Sequence, residues 1–147
     1  MAGKSDYFEN ALLQYIFHGV IVAGMEGVFG TPGSPLAQFY LSLHNGDPGD
    51  AAATGQQTNE LTYGGYARVA VVRNSAAWGI SGNQVSPLQI VEFPECTSGS
   101  QTATHVGIGT AATGEGKLLY SGAITPAIAV SVGIVPRLKT TSRITED

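Results

Sequence analysis

Cysteine is almost missing from this chain. Cys96 stands alone, which excludes an intrachain disulfide and any multi-cysteine metal cluster. Charge is scarce too: seven Lys+Arg and eleven Asp+Glu give a formal net charge of −4. Without clustered cations the chain has little with which to grip a phosphate backbone, so nucleic acid is not an expected partner. Long apolar runs are lacking as well. The longest, Val20-Ile-Val-Ala-Gly-Met25, is far short of the roughly 20 residues that a membrane-crossing helix needs, and no membrane association is expected. The N-terminal residues show no basic stretch followed by an apolar one, so no signal peptide is expected and synthesis in the cytoplasm is.

What is present in excess is glycine, 20 residues of 147, against an average share of about 7%. Glycine in helix interiors costs about 1 kcal/mol per residue, which argues against a helical bundle and for sheets joined by tight turns. At 43% hydrophobic and 12% charged the composition is that of a folding chain rather than a disordered one. A single core suffices at this length.

One segment reads as a helix. Asp6 is placed to cap it with Glu9 three residues on, and Phe8, Ala11, Leu12, Tyr15 and Ile16 fall on one stripe, with Gly19 as the stop. Residues 20–35 read as an extended apolar arm, with Val20, Ile21, Val22, Met25, Val28 and Phe29 interleaved with glycines. That pattern fits neither helical nor strand periodicity, and these six side chains are the candidate interface residues. Residues 36–43 alternate, with Phe39, Leu41 and Leu43 on a core face and Tyr40, Ser42 and His44 on the other. A flexible loop is expected over 51–59. Further strands are predicted at 66–72, 88–93, 102–108, 117–123, 128–132 and 134–139. The expected fold is an all-β antiparallel sandwich, jelly-roll-like, with one short N-terminal helix and the arm. The expected organisation is a helix over 1–19, the arm over 20–35 and the sandwich over 36–147, all one domain.

Chemistry-bearing motifs are few. His44 precedes the turn Asn45-Gly-Asp-Pro-Gly-Asp50 and Asp47 and Asp50 sit within it, a grouping of one imidazole and two carboxylates of the kind that can converge on a cation. The same residues are turn formers, and the spaced oxygen ligands of a calcium loop are lacking, so no metal is expected. His18 and His105 lie outside any nucleophile motif, and Cys96 has no basic neighbour. Gly107-Ile-Gly109 and Gly114-Glu-Gly116 lack the Lys-Ser/Thr of a phosphate loop and read as hairpin turns. No catalytic residue and no cofactor is expected. Arg137, Lys139 and Arg143 suit either ion pairing or protection of an edge strand.

In order along the chain, Asn10-Ala-Leu-Leu13, Phe39-Tyr-Leu-Ser-Leu-His-Asn-Gly-Asp-Pro-Gly-Asp50, Glu60-Leu-Thr-Tyr-Gly-Gly-Tyr-Ala-Arg-Val-Ala-Val71, Trp78, Ile90-Val-Glu-Phe-Pro94, Thr104-His-Val-Gly-Ile108, Leu118-Leu-Tyr-Ser-Gly-Ala-Ile-Thr-Pro126 and Val132-Gly-Ile-Val-Pro-Arg137 resemble a family of small virion structural proteins of tailed bacteriophages. The resemblance spans nearly the whole chain except 19–35. It implies a particle-associated β-sandwich without catalysis, located in the virion and made in the host cytoplasm. With no long repetitive stalk, the chain is expected to be a capsid decoration or cement protein bridging major capsid subunits. The alternative is a tail or baseplate appendage. The implied partners are the major capsid protein or tail proteins, and copies of the chain itself as a homodimer or homotrimer. A different class, a carbohydrate-binding module, would use Tyr63, Tyr66 and Trp78 as an exposed stacking platform.

Overall fold

The computed structural model describes residues 4–25, Val28, 36–49 and 55–146. Its elements are α1 (Asp6–Leu13), a π-helical turn (Gln14–His18), and nine strands: β1 (Gln38–His44), β2 (Val69–Val72), β3 (Trp78–Ser81), β4 (Gln84–Pro87), β5 (Val91–Glu92), β6 (Ser100–Gly109), β7 (Leu118–Ser131), β8 (Arg137–Leu138) and β9 (Ile144–Thr145). The fold is all-β, antiparallel and sandwich-like, with one short helix, as expected. The residues group into two compact units, the first formed by Met1–Ala37, Val72–Ile90 and Lys139–Asp147, the second by Gln38–Val71 and Val91–Leu138.

In the first unit α1 packs against the β3–β4 hairpin, with Asn10 Nδ2 donating to the Gly82 carbonyl at the hairpin turn (2.8 Å). The cap is Ser5, not Asp6. Ser5 is extended and its hydroxyl accepts from the Phe8 N–H, while Asp6 and Glu9 place their charges in the first turn, where the helix dipole favours them. The buried stripe also differs from the expected one: Ala11 is shared, but Leu13 and Phe17 take the core positions and Leu12 and Ile16 are only half-buried. Phe17 lies beyond α1, in the π turn, and stacks edge-on against Trp78 (centroids 4.8 Å, 61°). Gly19 ends the run in the left-handed conformation (φ 71°), as anticipated, and its N–H donates to the Tyr15 carbonyl.

The strand at the core of this unit escaped sequence reading. β3 and β4 pair from Trp78↔Pro87 to Ser81↔Gln84, and β9 adds to β4. Pro87 sits in its terminal pair and Gly82 (φ 61°) turns the hairpin, so the two residues that mark breaks in a sequence are the ones that make this hairpin.

The second unit carries a four-stranded sheet in the order β2-β1-β6-β7 and the two-stranded pair β5-β8. β1 and β6 align Leu41↔Ile108, Ser42↔Gly107 and His44↔His105. Phe39, Leu41 and Leu43 are buried, as expected, but so are Ser42 and His44, both 0% exposed. β1 is thus covered on two faces, one apolar and one polar. The strands predicted at 117–123 and 128–132 are one strand, β7, whose register with β6 shifts between Ala103 and His105. Gly107 and Gly109 belong to β6 and are not a turn; Gly114 and Gly116 do lie in the connection between β6 and β7. Those expected at 66–72, 88–93 and 134–139 shrink to β2, β5 and β8, and flanking N–H groups bond outside any ladder, Tyr66 to the Tyr63 carbonyl, Leu88 to that of Ala77 and Ile134 to that of Ser131.

Arg73 closes the helical segment from outside. Its guanidinium donates to the carbonyls of Tyr15 and Ile16 and lies 5.8 Å over the Tyr15 ring, supplying positive charge where the dipole is negative. We expect Arg73→Ala to lower stability by about 1–3 kcal/mol in a denaturant melt, and Arg73→Lys to recover only part of it, because an ammonium has no planar fork to bond two carbonyls.

Candidate functional site

The one concentration of polar chemistry in the described residues is the layer that covers the polar face of β1. Gln56 is its hub. It is fully buried, and its Nε2 donates to the Tyr40 carbonyl (2.9 Å) while its Oε1 accepts from the Ala111 N–H (3.0 Å) and from Arg68 Nη1 (3.4 Å). Two glycines make the space. A Cβ at Gly109 would stand 2.0 Å from Gln56 Cδ, and one at Gly116 would stand 2.1 Å from its Oε1. The expected flexible loop over 51–59 is therefore ordered where described, with Gln56 N–H donating to the Gly116 carbonyl (3.1 Å); residues 51–54 lie outside the described residues.

Beside Gln56, Arg68 and Glu60 form a two-pronged ion pair, Nε to Oε1 and Nη2 to Oε2, both 2.7 Å, with side chains 3% and 12% exposed. Arg68 spends its remaining donors on the Ala111 and Gly114 carbonyls. A desolvated ion pair is tolerable only when its other hydrogen-bonding capacity is used in this way. The Tyr66 hydroxyl donates to Glu60 Oε1 (2.8 Å) and accepts from the Leu43 N–H (3.0 Å). Burial drives the phenol pKa far above its ordinary value. Hydrogen bonding to Glu60 raises that of Arg68.

His44 sits deeper. Its Nδ1–H donates to the Thr58 carbonyl (2.8 Å), which leaves Nε2 to accept from the Ser42 hydroxyl (2.8 Å). Burial lowers its pKa below 6.5, against the opposing pull of the Thr58 carbonyl and Glu60. A hydroxyl bonded to an imidazole has the outline of a nucleophile and base, but a backbone carbonyl takes the place of an orienting carboxylate and both side chains are 0% exposed. The pair holds a sheet together and has no access to a substrate.

The other residues singled out from sequence are scattered. Asp47 accepts from the Gly49 N–H (2.8 Å); Asp50 lies outside the described residues, and no group of three His, Cys, Asp or Glu suited to a metal occurs among those described. His18 Nε2–H donates to the Trp78 carbonyl (2.8 Å), and His105 pairs with Thr104 Oγ1 (2.9 Å). Cys96 is fully buried, bonded to the Ser98 carbonyl. Arg137 pairs with Glu92 at the surface, and Arg143 donates to Gln84 Oε1 beside a groove of about 250 Å³ lined by Gly79, Ser86 and Thr140.

The aromatic platform of a carbohydrate-binding module does not form. Trp78 and Tyr63 are core residues, 2% and 4% exposed. The Tyr63 hydroxyl donates to the Pro94 carbonyl and its pKa is pushed up to about 12 by burial, while Tyr66 belongs to the polar layer. Both tyrosine hydroxyls are hydrogen-bonded, whereas the indole N–H of Trp78 is buried without a hydrogen-bond partner among the described residues. Of the six candidate interface residues, Val20 and Val28 are exposed, Ile21 and Val22 half-buried and Met25 buried; Phe29 lies outside the described residues. The arm turns where it is described, with Met25 N–H donating to the Val22 carbonyl and the Tyr7 hydroxyl to that of Ala23.

Sequence reading missed Gln56, Glu60 and Arg68 as a group because they stand at no diagnostic spacing. The available signal was the pair of charges Glu60 and Arg68 in an otherwise weakly charged region, next to tyrosines.

A family model described as Podophage GP4 fiber I protein gp80 matches residues 3–144. It represents phage virion structural proteins, the class that the sequence resembles. No curated protein matches the chain.

Two outcomes test the polar layer. Gly109→Ala forces a methyl onto Gln56 and is expected to cost about 3 kcal/mol or more, whereas in a Gln56→Ala background the same change costs under about 1 kcal/mol, a coupling read from a double-mutant cycle of denaturant melts. For His44, the unfolded chain takes up a proton near pH 6.5 while the folded chain resists it. Its contribution is thus complete above pH 6.5 and is lost as pH falls from there through the folded-state pKa. The melting temperature is expected to drop over that interval, and a His44→Gln variant, though less stable overall, is expected to show a flatter dependence there.

Proposed function

The chain belongs to the Podophage GP4 fiber I protein gp80 family, and from that premise we propose that it is a non-enzymatic structural component of a phage tail appendage. The match over residues 3–144 carries the reading. The name of the family is that of a fibre protein, which supports the tail-appendage alternative over capsid decoration. The site geometry supports a mechanical role. Ser42 and His44 are sealed from solvent, the ion pair is committed to backbone carbonyls, and the side chains that would serve chemistry serve as braces.

Under this reading the protein works by rigidity and by contact. Its partners are other appendage proteins and further copies of itself, with the exposed Val20 and Val28 available for contact. The energy comes from burying apolar surface at roughly 25 cal/mol per Å², multiplied where several copies engage at once.

Electron microscopy of virions decorated with an antibody to this protein tests the assignment. Label is expected at the tail or its appendages, and particles lacking the protein are expected to lose appendage density while their filled heads keep their resistance to heat. Label confined to the head, with heads that burst at lower temperature when the protein is missing, overturns the reading in favour of capsid decoration.

A further inference from the structure

We propose that the outer face of the β3-β4-β9 sheet holds a binding site for a small hydroxylated carboxylate, a ligand the size of one acidic sugar. The alternation of the strands makes the site. Trp78 and Val85 are buried, Trp78 against Phe17 of the helical segment, so Gly79, Ser81, Gln84 and Ser86 point away from the helix. Gly79 pairs with Ser86 and Ser81 with Gln84 across the hairpin. Arg143, just before β9, reaches over this face and donates from Nη1 to Gln84 Oε1 (3.1 Å). Together with Thr140 these residues line the groove of about 250 Å³. Gly79 leaves room in it, since a Cβ there would stand 2.9 Å from Leu88 Cδ2.

Charge identifies the anchoring group. Arg137 pairs with Glu92 and Lys4 with Glu146, but no ion pair among the described residues includes Arg143, and no Asp or Glu lines the groove. The bond to Gln84 fixes Nη1 and leaves the edge formed by Nε and Nη2, the same edge with which Arg68 grips both oxygens of Glu60. That edge matches a carboxylate by two parallel hydrogen bonds. A phosphate dianion needs a second cation, and the groove has one only.

The body of the ligand follows from the remaining groups. The hydroxyls of Ser81, Ser86 and Thr140 and the Gln84 Nε2 have no hydrogen-bond partner among the described residues. Hydroxyls both donate and accept, which suits a partner that carries hydroxyls of its own. No aromatic ring lines the groove, so recognition here is by charge and hydrogen bonds and a nucleobase has nothing to stack on. The volume lies below the roughly 300 Å³ at which pockets for drug-sized ligands begin, which holds the ligand to about one sugar ring.

The inference does not depend on where in the virion the protein sits, and the test uses the full chain alone. Sodium glucuronate titrated into isotopically labelled protein is expected to shift the NMR resonances of the amides of residues 79–86 and 140–145 and of the Arg143 Nε–H, saturably and in the millimolar range. An affinity of that order is what a ligand of about 13 non-hydrogen atoms reaches in an open groove. Glucose, acetate and inorganic phosphate, each with part of the chemistry only, are expected to bind at least about tenfold more weakly. Arg143→Gln is expected to weaken glucuronate by about tenfold or more with the rest of the spectrum unchanged, whereas Arg137→Gln leaves binding intact. No saturable shift, shifts centred outside these two segments, any of the three other probes binding as tightly as glucuronate, or equal losses in the two arginine variants each overturns the proposal. Where Arg143→Gln fails to fold, the wild-type Arg143 Nε–H decides: a saturable downfield movement with glucuronate supports the site, and a resonance that stays still overturns it.

Discussion

A buried amide with no freedom to move is the constraint around which the second unit is arranged. Gln56 has no contact with water, so each of its polar atoms must find a partner inside the protein, at a cost of about 1–3 kcal/mol for each one that fails. Those partners come from three separate stretches of chain: the Tyr40 carbonyl on β1, the Arg68 guanidinium, and the Ala111 N–H in the connection after β6. Satisfying one side chain therefore ties three segments together. The glycines at 109 and 116 follow from the same requirement, since any Cβ there would occupy the space of the amide. Gly107 plays the same part for the neighbouring pair, its Cβ position lying 2.7 Å from His44 Nε2 and 2.8 Å from Ser42 Oγ.

A strand covered on both faces has its register specified twice. A slip of one residue between β1 and its cover would carry Leu41 and Leu43 into the polar layer and Ser42 and His44 into the apolar one. Either exchange strands polar groups in a dry environment and leaves apolar side chains facing an ion pair. β1 and β6 lie some 60 residues apart in sequence, and contacts that distant are expensive to close, so a strong penalty against misalignment has a clear use. The polar layer adds little net free energy through its ion pair, whose desolvation offsets its attraction. Its contribution is to make one pairing satisfactory and its neighbours unsatisfactory.

The helix, its glycine stop, the apolar face of β1 and the all-β antiparallel class were legible because each rests on a periodicity or a backbone angle that residue types reveal directly. The polar layer was not. Ser42 and His44 alternate with Leu41 and Leu43, and alternation reads as solvent on the polar side unless something covers it; the cover, Gln56 to Arg68, looks like a loop by composition. Glycines hid the rest, because a sequence does not distinguish a glycine needed for an angle from one needed for space. Gly114 has φ 71° and is a turn residue as read, whereas Gly107 and Gly109 lie within β6 and were chosen for what they lack. At the helix the one-position shift of the buried stripe to Leu13 and Phe17 reflects where Trp78 and the hairpin stand, a tertiary fact that no helical pattern carries.

The chemistry of the layer also determines the conditions under which it holds. Arg68 keeps its charge at any ordinary pH, and its pKa is raised further by the carboxylate it grips, so the ion pair imposes no alkaline limit of its own. Three groups that must stay neutral, one imidazole and two phenols, set the bounds. His44 resists protonation because burial disfavours the cation, and the unfolded chain gains by taking a proton below about pH 6.5. Tyr63 and Tyr66 resist ionisation for the same reason with opposite sign: burial raises both phenols above 10.0, so the unfolded chain gains by releasing protons above about pH 10. Between those limits neither titration draws on the stability of the fold, and the second unit keeps one set of contacts across neutral and mildly alkaline conditions. That breadth follows from neutral groups packed tightly enough to refuse a charge.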